Sequence, residues 1–416
     1  MKYNRFEVPA LAWFGQKMLG LEFPEDWLIE FYPMKGYMKP RISDDEIKKV
    51  IRVPIGCKPL SRLAEGKRDV VVVVDDMTRP TRAYQIVPHV MEELKKAGVP
   101  DDGIRFIMGG GTHGAWYRYD FAKKIGEDFV AKYPVYNHSP FNNCVKVGET
   151  KMGTPVEINA EYNSCDLKIG IGLIVPHPMV GYGGGAKIIL PGIASYQMIY
   201  HNHVVVHRQN PPMDTYMGYF RDNVTRADID EAGKIAGMDL KIDVLVNGIG
   251  ESTDVFAGDL QQEFLEGVKL AKTHYLTPEV PEDVDVIVAN TYAKANEATI
   301  ALGTWKHRIR KKDGVMVIIA QAPEGQTTHY LYGKFGKLQF APGNNFPCDV
   351  QFRKVIVYSE YPTPDPFLPF SKCETIWLKS WREVIEELKS SFDHAPKVAV
   401  IPNAEIQCPA EYLSRP

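Results

Sequence analysis

The sequence has few of the features that commonly identify a function. Its 416 residues include six cysteines, none of them in a C-x-x-C pair or at a spacing typical of zinc or iron–sulfur sites. It contains no apolar run of about 18 residues, and its amino terminus lacks the apolar core of a signal peptide. We therefore expect a soluble, cytoplasmic protein with reduced thiols and no membrane partner.

An excess of charge of one sign is also absent. The chain has 49 basic and 52 acidic residues, a formal charge of -3 at pH 7, and no block of lysine and arginine. This balance argues against nucleic acid as a partner. With 44% hydrophobic residues, the chain can bury sizeable cores, and its length suits about two to three domains.

Short apolar runs rich in β-branched residues alternate with segments of helical periodicity. The clearest runs are Val70–Val74, Ile104–Met108, Leu167–Val175, Val244–Val246, Val286–Ala289, Val315–Ala320, Val355–Val357 and Val398–Ile401. Apolar residues three and four apart predict helices over Gln261–Tyr275 and Ser380–Phe392. Near-continuous apolar strands that alternate with helices predict an α/β fold with mainly parallel sheets.

A domain boundary is predicted in the segment "TPEVPEDVD", Thr277–Asp285, where two prolines and four acidic residues interrupt the pattern. We expect an N-terminal cofactor-binding and catalytic domain over residues 1–276 and a smaller C-terminal α/β domain over 285–416. Ligands of parallel sheets bind beyond the carboxyl ends of the strands. An active-site cleft between the two domains is therefore expected.

Polar residues cluster at these strand ends. They are Asp75, Asp76, Thr78 and Arg79 in "DDMTRP", Thr112 and His113 in "GGGTHG", His177 in "VPHP", and His201, His203 and His207 in "YHNHVVVH". Each segment has an ordinary explanation, such as a helix N-cap for "DDMTRP" or a hydrogen-bonded structural role for a lone histidine. Their coincidence at successive strand ends of one sheet favours a functional site.

The loop "GYGGGAKIILPG", Gly181–Gly192, does not match the common nucleotide-binding loops. The phosphate-loop pattern needs glycine before its lysine and Ser or Thr after it, whereas Ala186 and Ile188 flank Lys187. Ala186 also breaks the G-x-G-x-x-G pattern. What remains is a flexible backbone, at Gly183, Gly184 and Gly185, that can approach a ligand closely and present one lysine amine for covalent attachment.

Together, "DDMTRP", "GGGTHG", "PHPMVGYGGGAKIILPGIAS" and "HNH", over roughly residues 70 to 205, resemble the lactate racemase family. Members of that family use a nickel-pincer nucleotide (nickel pyridinium-3,5-bisthiocarboxylic acid mononucleotide). In this cofactor, two sulfur arms, a ring carbon and one protein histidine hold nickel in a square plane. Soft sulfur ligands and an imidazole suit such a metal.

The resemblance implies roles for individual residues. It implies that Lys187 is the covalent tether and that His203, sixteen residues later, is the nickel ligand, with His201 disfavoured by its spacing. His113 and His177 match the two catalytic histidines. Asp76 and Arg79 match positions that line the cofactor and substrate pocket.

The resemblance further implies a racemase or epimerase for 2-hydroxy acids. One histidine would take the hydroxyl proton while the carbinol hydride moves to the cofactor, and the second would act on the opposite face. The implied partners are the hydroxy acid and the enzymes that synthesise the cofactor. Two alternatives stay open: a cofactor carrier without turnover, and a hydrolase with a histidine-bound metal.

The second domain departs from the family pattern. Lactate-specific members carry a glutamine and a lysine, three residues apart, where this sequence has Ile300 and Gly303. The substrate is therefore expected to be larger than lactate. Polar or aromatic residues nearby could line a different pocket or form a solvated helix face; these are Lys294, Glu297, Trp305, Lys306 and His307.

Overall fold

A computed structural model describes residues 3–213, 215–298, 305, 313–331, 353–363 and 374–413 of the chain. Its contacts divide the chain into two compact units. One comprises residues 38–274, and the other combines residues 1–37 with residues 275–416. None of the helices in these described ranges is long and apolar enough to span a bilayer.

The described strands and helices alternate along most of the chain. The strands are β1 Tyr3–Ala10, β2 Lys17–Pro24, β3 Leu28–Phe31, β4 Val70–Asp75, β5 Ile104–Gly109, β6 Val135–Asn137, β7 Cys144–Glu149, β8 Pro155–Asn159, β9 Leu167–Leu173, β10 Pro176–His177, β11 Gly181–Tyr182, β12 Leu240–Val246, β13 Ser252–Gly258, β14 Leu276–Thr277, β15 Val286–Asn290, β16 Val315–Ile319, β17 Lys354–Tyr358, β18 Glu374–Leu378, β19 Lys397–Ile401 and β20 Cys408–Pro409. The α-helices are α1 Asp44–Arg52, α2 Leu60–Leu63, α3 Val87–Lys96, α4 Arg118–Ile125, α5 Glu127–Lys132, α6 Ala160–Ser164, α7 Tyr196–Tyr200, α8 Val224–Ala236, α9 Gln262–His274, α10 Trp381–Ser391 and α11 Ala410–Leu413. Short 3-10 helices cover Gly185–Ile188 and Tyr292–Glu297, among others, and a π-helix covers His201–Val206.

The unit of residues 38–274 is built on a six-stranded sheet. Its strand order is β13-β12-β9-β4-β5-β6, and every neighbouring pair is parallel except the antiparallel pair β12–β13. All six residues of β4 are buried. This burial explains the unbroken valine run, since a central strand covered on both faces has no exposed side for polar residues.

The unit of residues 1–37 and 275–416 contains a second sheet, with strand order β18-β17-β16-β15-β19-β3. All of its neighbouring strands are parallel. The edge strand β3 comes from the amino-terminal segment, while the other five come from the last third of the chain. The predicted α/β class with mainly parallel sheets is therefore confirmed.

The grouping of the amino-terminal residues differs from the domain division made from sequence, which assigned 1–37 to the first domain. In the structure β3 pairs with β19, and Phe23 of β2 packs edge-on against Trp381 at a ring-centroid distance of 5.2 Å. These contacts join segments more than 350 residues apart in the chain. Local sequence patterns carry no information about such pairing, so the sequence could not show it.

A glycine turn precedes Lys187 and depends on an unusual backbone conformation. Gly184 has φ +90°, and a Cβ there would lie 2.6 Å from Ile174 Cγ1 and 2.9 Å from Asp243 Oδ2. Only glycine adopts this conformation readily, and only glycine fits the space. By contrast Gly237, which ends α8 at φ +73°, has no atom within 4 Å of a built Cβ.

We expect Gly184→Ala to destabilise the protein more than Gly237→Ala. Both substitutions force alanine into the left-handed region at a cost of roughly 1–2 kcal/mol, but only Gly184→Ala also creates overlap with packed atoms, which adds about 1–3 kcal/mol. Urea unfolding followed by circular dichroism measures both free energies of unfolding. Equal losses in the two variants would show that the turn has room to relax.

Candidate functional site

The site lies at the carboxyl ends of four neighbouring parallel strands. Pairing aligns Asp75, the last residue of β4, with Gly109, the last residue of β5. On the other side, Gly172 of β9 is aligned with Asp243 of β12. The segments that follow these strands therefore begin at one edge of the sheet, as expected for a ligand site of an α/β fold.

Asp76 and His113, from the first two of these segments, form a short hydrogen bond. His113 Nδ1 lies 2.5 Å from Asp76 Oδ2, while Asp76 Oδ1 accepts hydrogen bonds from the Thr78 backbone N–H at 3.0 Å and the Thr78 hydroxyl at 2.6 Å. Burial alone would raise the pKa of Asp76, but His113, Arg79 and Thr78 outweigh it and lower the pKa to about 2. With the Asp76 carboxylate accepting at Nδ1, the lone pair of a neutral His113 would be on Nε2.

A second buried pair lies next to this one. Lys124 Nζ, fully buried, lies 2.9 Å from Asp75 Oδ1 and donates to the carbonyl oxygens of Arg79 at 3.0 Å and Thr81 at 3.1 Å. Burial raises the pKa of Asp75 and lowers that of Lys124, although each opposes the shift of the other. Through these bonds Lys124 fixes the backbone of the segment "DDMTRPT" and so helps to hold Asp76 and Arg79 in place.

His177, at the end of β10, lies close to Lys187, in the 3-10 helix Gly185–Ile188 that follows β11. Lys187 Nζ lies 3.5 Å from His177 Nε2. His177 Nδ1 accepts the backbone N–H of Met179 at 3.2 Å. Because a neutral imidazole accepts at one nitrogen only, this bond would place the proton of neutral His177 on Nε2, from which it can be donated only to an uncharged Lys187 amine. The two predicted catalytic histidines thus have opposite hydrogen-bonding arrangements.

One pocket at this edge joins most of the residues predicted from sequence. It is lined by Asp76, Arg79, His113, Gly183, Gly184 and Lys187, together with Asp75, Lys241, Asp243 and further glycines that include Gly109, Gly110 and Gly172. A Cβ at Gly110 would lie 3.6 Å from Asp76 Oδ2. Gly185 is adjacent, and its backbone N–H donates to Asp243 Oδ2 at 2.6 Å.

His203 is not among the residues that line this pocket in the described part of the chain. It lies in the π-helix, whose neighbouring residue Asn202 is fully buried and donates to Asp228 Oδ2 at 2.7 Å and to the Thr225 carbonyl at 3.2 Å. His201 Nδ1 instead lies 2.8 Å from the Thr154 hydroxyl. π-helical turns are frequent at functional sites, and this one is firmly anchored to α8.

Three charged residues of the site were missed by sequence reasoning: Lys124, Lys241 and Asp243. A signal existed for two of them, because Lys241 and Asp243 stand two apart inside the apolar run "LKIDVLV" and so share one face of β12. Charged residues inside a buried strand are rare enough to mark a functional or structural network. No comparable signal marks Lys124 within α4.

Some candidates from the second domain lie in the compact unit of residues 1–37 and 275–416, and the rest are outside the residues that the structure describes. Ile300, Gly303, Lys306 and His307 are outside the described residues. Lys294 Nζ lies 3.1 Å from Glu297 Oε2 in a largely buried ion pair rather than on a solvated helix face. Trp305 is fully buried and donates to the Ala404 carbonyl at 2.7 Å, so it belongs to a hydrophobic core.

The chain is similar in sequence to known proteins, and the family match covers its amino-terminal half. A family model described as the lactate racemase N-terminal domain matches residues 14–214. The lactate racemase of Thermoanaerobacterium thermosaccharolyticum is 28% identical over 336 residues, which are 79% of this chain and 77% of that protein. The lactate racemase of Lactiplantibacillus plantarum is 28% identical over 302 residues, or 70% of this chain and 69% of that protein.

Solved structures share the fold. The lactate racemase apoprotein of T. thermosaccharolyticum aligns with a TM-score of 0.73 at 23% identity over 98% of this chain and 100% of that one. A crystal structure of a Thermotoga maritima protein aligns with a TM-score of 0.63 at 16% identity over 90% of this chain and 100% of that one. The matched N-terminal domain contains the strand-end motifs and the lysine loop, and together with the two related sequences it supports a place for the chain in the lactate racemase family.

Proposed function

We propose that the protein is a racemase or epimerase that inverts the carbinol carbon of a 2-hydroxy acid. The observation that carries this proposal is the opposite arrangement of two histidines at one edge of the sheet. Asp76 accepts from His113 Nδ1, whereas the Met179 N–H donates to His177 Nδ1. Inversion needs one group that removes a proton and one that supplies it, and these arrangements provide both.

The residues of the site fit the nickel-pincer nucleotide of the family. The pocket has a glycine-lined wall that allows close approach of a ligand, a cationic side chain at Arg79 and an amine at Lys187. Lys187 would hold the cofactor covalently, and Asp76 and Gly183–Gly185 would border it. His203, which is not among the described residues that line the pocket, would be the nickel ligand. When bound, the cofactor would accept the carbinol hydride and return it.

The proton transfers fall to this chain's own side chains. His113 Nε2, with its lone pair, takes the hydroxyl proton of one enantiomer, and the Asp76 carboxylate stabilises the resulting imidazolium. His177 Nε2 supplies a proton to the oxygen of the keto acid as the opposite enantiomer forms. Arg79, whose Nη1 lies 2.8 Å from the Thr78 hydroxyl, would hold the carboxylate of the hydroxy acid.

The rival functions fit the site less well. A metal-dependent hydrolase needs a cluster of protein ligands, and no group of three His, Cys, Asp or Glu side chains in the described ranges could hold a metal ion. A cofactor carrier would have no use for the Asp76–His113 pair, which costs burial of a charge. Turnover explains both histidines.

Replacement of Asp76 by asparagine tests the role of the histidine pair. The Thr78 N–H and hydroxyl keep an oxygen at the Oδ1 position, so the new amide NH₂ would face His113 Nδ1 and force its proton to Nε2. We expect Asp76→Asn to lower kcat by about 10²- to 10⁴-fold, as loss of the correct tautomer does in other His–Asp sites. Cofactor content and racemisation rate are the measurements.

Asp120→Asn is the matched control for this experiment, since Asp120 is buried and accepts the Tyr117 N–H at the start of α4 without touching a histidine. It should retain most of the activity. Full activity of Asp76→Asn would remove the proposed proton role of His113.

An isotope experiment tests the route of the carbinol hydrogen. A substrate deuterated at its second carbon should turn over more slowly and should keep the label on that carbon in the product, because a hydride does not exchange with water. Mass spectrometry of the product in ordinary water measures retention. Extensive washout of deuterium would contradict the hydride route and favour simple proton abstraction from carbon.

The substrate is proposed to be larger than lactate. The family resemblance places Ile300 and Gly303 where lactate-specific members carry glutamine and lysine. With that correspondence, a three-carbon acid would lose two polar contacts. Loss of a hydrogen bond to a charged group typically forfeits about 1.5–3 kcal/mol. Glycine also frees volume, which suits a longer or polyhydroxylated 2-hydroxy acid such as a sugar acid.

A panel of 2-hydroxy acids, from lactate to six-carbon aldonates, tests this specificity. We expect a higher kcat/KM on at least one longer acid than on lactate with cofactor-loaded protein. The double variant Ile300→Gln, Gly303→Lys should shift the preference back toward lactate. A preference of the unmodified protein for lactate over every longer acid would contradict the proposed substrate while leaving the residue roles intact.

A further inference from the structure

A buried cluster of charged side chains lies beneath the glycine turn, and the proposed reaction does not use it. The buried charge cluster consists of Arg226 from α8, Lys241 and Asp243 from β12, and Glu263 from α9. All four side chains are almost fully buried, with relative exposures of 2%, 0%, 0% and 0%. Burial of four ionisable groups is costly, so their arrangement calls for an explanation.

Two members of the buried charge cluster bind the same peptide group. The N–H of Gly185 donates to Asp243 Oδ2 at 2.6 Å, and the carbonyl of Gly184 accepts from Arg226 Nη1 at 3.3 Å. The carbonyl and N–H belong to one peptide bond and point in opposite directions across it. Hydrogen bonds to both its N–H and its carbonyl therefore hold this peptide group, which ends two residues before Lys187.

Further contacts keep the two gripping side chains in place. Arg226 also donates to the Tyr182 carbonyl at 3.1 Å, pairs with Asp230 at 2.8 Å and lies 3.7 Å from the centroid of the Phe264 ring. Asp243 Oδ1 is ion-paired with Lys241, whose Nζ donates to the Ile242 carbonyl at 3.0 Å. Both side chains are thus held in one position each.

Space for this arrangement is provided by glycine. A Cβ at Gly172, the β9 residue aligned with Asp243, would lie 3.1 Å from Asp243 Oδ1 and 3.3 Å from Lys241 Nζ. Glu263 faces Asp243 from α9, where burial and then the negative charge of Asp243 raise its pKa well above the ordinary value.

We propose that Asp243 and Arg226 are positioning residues that fix the Gly184–Gly185 peptide and thereby aim the Lys187 amine at its attachment point. This inference rests on the proposed attachment of the cofactor to Lys187. Gly184 and Gly185 have positive φ values of +90° and +55°. Because glycine has no Cβ, the two residues could adopt other backbone conformations if these hydrogen bonds were lost. Misplacement of a reacting group by about 1 Å is enough to lower a rate on the order of 100-fold.

The test uses two double variants that differ by one hydrogen-bond acceptor. Replacing Asp243 alone would leave Lys241 buried without its counter-ion, which destabilises a protein strongly, so both variants carry Lys241→Met. One adds Asp243→Asn, which keeps an oxygen for the Gly185 N–H. The other adds Asp243→Ala, which removes it.

Two readouts are compared in protein whose folding is verified by thermal unfolding. The first is the fraction of Lys187 that carries a cofactor adduct, measured by peptide mass spectrometry after co-production with the cofactor-synthesis enzymes. The second is the pH profile of Lys187 acetylation by acetic anhydride in cofactor-free protein, relative to the exposed Lys269. Neither readout changes if the Asp243 carboxylate only contributes to global stability.

We expect the Asp243→Asn double variant to resemble the unmodified protein in both readouts. The Asp243→Ala double variant should lose most of the adduct, and its Lys187 acetylation rate should move toward that of Lys269 by at least about fivefold, because local release exposes the amine. The control pair Lys39→Met, Asp254→Ala, which removes the 2.6 Å ion pair between Lys39 and Asp254 of β13, should change neither readout.

The outcomes separate this inference from the proposal on which it rests. If the unmodified protein forms no adduct, covalent attachment at Lys187 is wrong, and the acetylation profiles still decide whether Asp243 positions the lysine. If the unmodified protein forms the adduct and the Asp243→Ala double variant matches it in adduct and acetylation, the positioning role is overturned.

Discussion

Hydrogen bonding between the neighbouring parallel strands β5, β4, β9 and β12 is the constraint on which the site depends. Parallel pairing brings four carboxyl ends to one edge of the sheet, and the segments that follow them carry the histidines, the lysine and the carboxylates. The registers align Asp75 of β4 with Gly109 of β5 and Gly172 of β9 with Asp243 of β12. Sites distant in sequence are thereby brought within hydrogen-bond distance.

The shape of that sheet edge is determined by glycine residues and by buried pairs of charged side chains. Glycines at the strand ends and in the turn leave space next to the backbone, and charged side chains occupy part of it in pairs. Two such pairs are buried, and in each of them both side chains are buried: Lys124 with Asp75, and Lys241 with Asp243. Removing one partner of such a pair costs about 3–5 kcal/mol, so each pair holds its backbone segment in a single conformation.

The histidines of the chain show how neighbours decide the role of one residue type. His138 is buried between the Ala194 carbonyl and Asn159, and burial lowers its pKa to about 4. It stays neutral at physiological pH and serves the structure. His113 faces a carboxylate, and its orientation suits proton transfer. Sequence alone presents both simply as histidines that follow strands.

The α/β class, the main buried strands, the helices α9 and α10 and the strand-end motifs were readable from the sequence, since periodicity and residue type are local properties. The lysine loop was likewise recognisable, because its departure from the phosphate-loop pattern needs no partner. Only the tertiary structure showed that β3 pairs with β19. It also showed that Nδ1 of His113 contacts a carboxylate whereas Nδ1 of His177 accepts a backbone N–H, and that Arg226 and Asp243 both bind the Gly184–Gly185 peptide group. Those features depend on contacts between residues tens to hundreds of positions apart, which no local pattern encodes.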